Sequence, residues 1–160
     1  MDHVDKILAQ WMRERPDLDV SAMGLLGRLA RLRAHLAREI EKIFTEHGLT
    51  SASFDVLAAL RRSGPPFQLS PGDLMATTMV TSGTMTNRID QLEKAGLVER
   101  LDNPDDRRGV IIGLTEEGLK RVEAAVTDHV ANQHHLLECL ETKDRQALDG
   151  LLRKLLAAFE

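Results

Sequence analysis

Between Ser70 and Leu114 the sequence demands a short helix, a turn, a second helix and a β-hairpin, in that order. Ser70-Pro71-Gly72-Asp73 is a helix start, with a hydroxyl cap, proline at the first helical position and an acid three residues after the cap. The helix it opens is expected to run only about two turns, because β-branched Thr77, Thr78, Val80 and Thr81 follow. A second helix is predicted over Thr81–Lys94, where Met85, Ile89 and Leu92 fall at i, i+4 and i+7, one face turned towards a core. Ala95-Gly96 ends it. Leu97–Leu101 and Val110–Leu114 are short β-prone runs, and the turn-rich, charged DNPDDRRG between them closes a hairpin. A helix-turn-helix followed directly by a hairpin makes a winged helix.

The flanks are helical. Val4, Ile7, Leu8, Trp11 and Met12 form one stripe, which Pro16 ends by its missing N–H and its clash with the preceding turn. A long helix follows from about Val20 to His47, with Gly48 as its stop. Thr50 caps a helix over Ser51–Arg62, with Phe54, Leu57 and Leu60 facing inward. Beyond the hairpin, Thr115 caps a helix with the stripe Leu119, Val122, Val126, Val130, Leu137 and Leu140. Thr142 caps the last helix, whose stripe is Leu148, Leu151, Leu152, Leu155, Leu156 and Phe159. The expected architecture is therefore mainly α, a single domain over 1–160. Residues 50–114 form the winged helix, and 1–48 with 115–160 form a helical dimerisation region. Apolar stripes at both ends, with no evident partner in the chain, point to pairing across a homodimer.

Composition narrows the function. With 42% hydrophobic residues the chain can build a core, yet no run approaches the roughly 18 apolar residues of a membrane span. The first residues mix acids and bases, unlike a secretory signal, and the single Cys139 excludes an internal disulfide framework. Both fit a cytoplasmic protein. There is no Tyr and one Trp, which weakens any single-strand binder that stacks bases on aromatic rings. The net charge of −4 gives no global attraction to nucleic acid, so a duplex binder must concentrate its cations on one face. No P-loop, glycine fingerprint, zinc-protease His pair or CxxC is present, so nothing points to an enzyme or calls for a cofactor. His129, His134 and His135 lack an accompanying ligand cluster and are assigned to solvent or an interface rather than to a metal.

Small, hydroxylated residues at a helix start suit base edges and phosphates in a major groove. Thr81, Ser82, Thr84, Met85, Asn87 and Arg88 are the candidate DNA contacts of the second helix. In the hairpin, Arg108 is placed to enter a minor groove, Asp106 to orient its guanidinium, and Arg107 to meet phosphate or water.

Asp106, Arg108, Leu114-Thr115 and Gly118 reproduce the wing pattern of the MarR family of bacterial regulators, and helix order together with SGTMTNRIDQLEKAGLVER extends the resemblance to nearly the whole chain. That resemblance implies a homodimer that reads a pseudo-palindromic operator with half-sites about 10 bp apart. An extra amino-terminal helix carrying a tryptophan further resembles the urate-responsive subgroup. That likeness implies an effector pocket built from Trp11, Asp55, Arg88 and Arg100. A planar purine anion would stack on the indole and pair with the two arginines, and Arg88 would couple ligand to the DNA-reading helix. The implied function is repression of the protein's own and neighbouring genes, relieved by urate or a similar aromatic anion. The alternatives are a phenolic ligand, a redox switch at Cys139, or a helical interaction module without DNA contact.

Overall fold

The computed structural model describes residues 1–78, 81–103 and 109–160. Its elements are α1 (His3–Glu14), α2 (Ser21–Glu46), α3 (Ser51–Arg62), β1 (Gln68–Leu69), α4 (Pro71–Thr78), α5 (Ser82–Lys94), β2 (Val98–Asp102), β3 (Val110–Leu114), α6 (Glu116–Leu136) and α7 (Thr142–Leu156). The fold is a winged helix-turn-helix framed by helices, as the sequence predicts.

The chain divides into two compact units, Met1–Glu39 and Ile40–Glu160, with α2 running through the boundary. In the first unit, Asp2 caps α1 through a capping box with Asp5, and both carboxylates receive hydrogen bonds from Arg28 of α2. Gly24 lets the two helices approach, since a Cβ there would lie 2.9 Å from Leu8 Cδ1.

The second unit holds the main core. Phe44, Phe54, Leu57, Leu60, Leu74, Met85, Ile89, Leu92, Val98, Ile112 and Val122 belong to one buried cluster. Thus α6 shares its core with the winged helix through Val122 and Ala125. Phe44 and Phe54 stack with centroids 4.2 Å apart, and the His129 ring packs against both, at 4.9 and 5.4 Å. His129 is therefore a packing residue of this core.

Helix starts follow their caps. The Thr50 and Thr115 hydroxyls accept from Ser53 N and Gly118 N, and Ser70 Oγ accepts from Asp73 N at 3.1 Å while donating to Asp73 Oδ2 at 2.7 Å. Three local expectations need correction. The sheet has a third strand, because the two residues of β1 pair antiparallel with β3 (Gln68 with Gly113, Leu69 with Ile112), giving the order β1-β3-β2. Helix α6 ends at Leu136 rather than running to Leu140, since its last N–H groups turn to i−3 carbonyls, Leu137 N to His134 O and Glu138 N to His135 O. Glu141, not Thr142, is the extended residue before α7, and it caps with its carbonyl rather than its side chain.

Candidate nucleic-acid interface and ligand site

The recognition helix α5 is held by its apolar face and by the turn after it. Met85, Ile89 and Leu92 are buried, while Thr81, Ser82, Gly83, Thr84, Thr86 and Asn87 are exposed on the first two turns. Met85 is 1% exposed and belongs to the core, so it is withdrawn from the DNA-contacting set: its i, i+4, i+7 relation to Ile89 and Leu92 turns it inward. Thr81 Oγ1 pairs with Thr84 Oγ1 at 3.0 Å and makes no cap bond to the backbone.

The wing is anchored where β3 meets α6. Thr115 Oγ1 donates to Gly96 O at 2.7 Å and accepts from Gly118 N at 3.0 Å, tying the turn after α5 to the start of α6. Gly118 is required there, because a Cβ would lie 1.9 Å from Leu97 O. The Leu-Thr and glycine of the wing pattern thus have a local reason: they lock the recognition helix, the first wing strand and α6 together. Across the hairpin, Val98 to Asp102 pair in register with Leu114 to Val110. Asp106, Arg107 and Arg108 lie outside the described residues.

The candidate ligand residues fall into three situations. Asp55 of α3 and Arg88 of α5 face one another electrostatically. Asp55 is exposed on α3, yet partial desolvation raises its carboxyl from its ordinary range, while the positive charges of Arg88 and then Arg62 pull it down. Arg88 is half-buried, and its Nη1 is fully buried with no hydrogen-bond partner among the described residues. A buried, unpaired guanidinium nitrogen is costly, which makes it a ready donor to an anion.

Arg100 of β2 is already occupied. It donates through Nη2 to Asp90 and through Nη1 to Glu93, both on α5, and the bond to Asp90 raises its pKa further. Trp11 lies in the first unit, on α1, 41% exposed beside a surface hollow lined by Gln10, Trp11 and Glu14.

Sequence reading missed Arg62 and the partners of Arg100. Arg62 was within reach of a pattern argument, since it follows Asp55 by seven residues on one helix and so shares its face. Among the described residues no cluster of three or more His, Cys, Asp or Glu is placed to hold a metal. Cys139 is exposed between α6 and α7, and no described helix is long and apolar enough to cross a membrane.

Comparison with known proteins decides the family. A model of the MarR family matches residues 47–109. The chain is 38% identical over 149 residues to the HTH-type transcriptional regulator PecS of Dickeya dadantii, covering 93% of this chain and 90% of that protein. The chain belongs to the MarR family. Its fold is that of solved MarR-family structures. A mutant MarR from Escherichia coli complexed with operator DNA is 29% identical, with a TM-score of 0.73 over 86% of this chain and 97% of that one. Bordetella bronchiseptica BpsR, solved in a study of how 6-hydroxynicotinic acid regulates its DNA binding, is 28% identical, with a TM-score of 0.71 over 86% and 95%. As a MarR-family member the chain is a DNA-binding transcriptional regulator, and its relatives are regulators rather than enzymes.

Proposed function

We propose that this MarR-family regulator represses its own and neighbouring genes by occluding their promoters, and that a small aromatic anion, urate or another purine, releases it. The observation that carries the ligand reading is the unpaired, buried Nη1 of Arg88 on the recognition helix, facing a carboxyl on α3 whose proton affinity is raised. An anion that pairs with Arg88 satisfies a donor that the described residues leave open. The raised proton affinity of Asp55 lessens the repulsion that its carboxylate would offer to an anion. Because Arg88 sits on the DNA-reading helix, ligand and DNA compete for the position of one element, which is the differential affinity that coupling requires. The resemblance to the urate-responsive subgroup adds Trp11 as a stacking surface and Arg100 as a second cation. Arg100 can serve only by exchanging Asp90 and Glu93 for the ligand.

On the DNA side the proposed contacts are Thr81, Ser82, Thr84, Asn87 and Arg88 in the major groove, with Asp106, Arg107 and Arg108 in the wing. Homodimerisation is proposed through the terminal helices: Leu25, Leu26, Leu151, Leu152, Leu155, Leu156 and Phe159 are all exposed in the single chain.

A mobility-shift titration on the DNA upstream of the protein's own gene tests this reading. Wild type is expected to shift that DNA specifically at moderate salt and to release it as urate is added. Arg108→Ala should weaken the shift, whereas Trp11→Ala and Asp55→Ala should keep DNA binding and lose the urate response. Absence of a specific shift removes the repressor assignment. A shift indifferent to urate, xanthine and related purines removes the ligand alone.

A further inference from the structure

The recognition helix carries more negative charge than a DNA-reading element needs. Asp90 and Glu93 sit three residues apart, on one face of its later turns, and like charges at that spacing disfavour an isolated helix. Their presence runs against the Coulombic attraction on which duplex binding depends. The structure gives them a purpose: both carboxylates accept from the same guanidinium, that of Arg100 on the first wing strand. Arg100 side-chain exposure is 34%, against 57% and 40% for Asp90 and Glu93, so the three groups lie at the surface, where such pairs contribute little to folding stability.

We infer that Asp90 and Glu93 are positioning residues for DNA recognition, which through Arg100 fix the angle between the recognition helix and the wing. The inference rests on the DNA-binding function and adds a constraint to it. A winged helix must place two separate elements on one duplex at once. Here helix α5 and strand β2 are joined by the short Ala95–Leu97 turn and share the buried core below it, and Arg100 adds a second tie between them on the surface side. One planar guanidinium gripped by two carboxylates from successive turns narrows the pitch that the core leaves to the helix, because both pairs hold together only over a small range of angle. The acids subtract attraction for phosphate and supply geometry instead.

Opposite signs separate this inference from a bland surface role. The double variant Asp90→Asn/Glu93→Gln removes two negative charges and frees a cation, so electrostatics alone predicts tighter binding to every duplex. Positioning predicts weaker binding to the operator fragment, by about tenfold, with binding to a non-operator duplex unchanged or tighter. Affinity is to be measured by fluorescence anisotropy on both duplexes at one salt concentration, with wild type alongside and thermal melting as the control for fold. Arg100→Gln, which leaves the acids in place, should also lose operator affinity. A narrowed operator-to-nonspecific ratio in both variants, at unchanged melting temperature, supports the inference. Equal or tighter operator binding by the double variant overturns it while leaving the DNA-binding function intact. If wild type itself shows no preference for the operator, that function fails and the inference falls with it.

Discussion

Helices α3 and α7 carry the same apolar spacing and meet opposite fates. In α3, Phe54, Val56, Leu57, Ala58, Ala59 and Leu60 are buried, and the helix sits against α4, α5, α6 and the sheet. In α7 no residue is buried, and Leu151, Leu152, Leu155 and Leu156 are exposed. A stripe at threes and fours states that a helix has a face to bury. It does not state whether the cover comes from the same chain. For α3 the cover is internal; for α7 no described residue supplies it, and a second copy is the proposed cover.

The largest effect expected from this contrast is on the α3 side. Leu57→Ala opens a cavity at a fully buried position and should cost about 2–5 kcal/mol of unfolding free energy. The loss should be the same at any protein concentration, as denaturant melts will show. Next comes Gly118→Ala, which drives a Cβ into the Leu97 carbonyl and should cost about 3 kcal/mol, with the wing displaced. On the α7 side, Leu151→Ala/Leu155→Ala should leave the melt of the winged helix nearly unchanged once the subunits are apart. It should raise the concentration at which subunits dissociate, read by sedimentation equilibrium, and make the melting temperature depend on concentration. A uniform loss of stability at all concentrations would instead put α7 inside the subunit core.

Smaller effects come from titration. Burial lowers the His129 pKa below its ordinary value, so the folded state binds fewer protons there than the unfolded chain. The sign follows: this contribution is complete above the unfolded value of about 6.5 and is lost as pH falls from there through the depressed folded value. Wild type should therefore lose stability on acidification below about pH 6.5, and His129→Leu should flatten that limb. Asp55 has the opposite displacement, a carboxyl raised by partial desolvation. Its penalty is absent below the unfolded value and develops as pH rises through the folded one, so Asp55→Asn should slightly raise the melting temperature at neutral pH. That gain, at a residue proposed for ligand binding, is the smallest of these changes.

What the sequence made legible was local. The caps at Thr50, Ser70 and Thr115, the stop at Gly96 and the two wing strands depend on residues within a few positions of one another, and each is where the pattern put it, save that the first strand is Val98–Asp102, one residue later than expected. Strand β1 was missed because two residues carry no periodicity; it exists only through pairing with β3. The family pattern named Asp55, Arg88 and Arg100 together, but it did not show that Arg100 is spoken for by Asp90 and Glu93, ten and seven residues before it. Met85 shows the reverse error, a residue placed on DNA although its own spacing sent it to the core. The burial of Arg88 Nη1 is likewise set by tertiary packing, which no spacing along α5 encodes.

The central claim is that a dimer of this chain places two recognition helices on one face of operator DNA. Hydroxyl-radical footprinting on the DNA upstream of its gene tests that most directly. The account predicts two protected stretches about one helical turn, or ~10 bp, apart and related by a pseudo-twofold axis. Protection should fade as urate is added. A footprint covering a single half-site, or no protected site at protein concentrations that coat non-operator DNA, would contradict it.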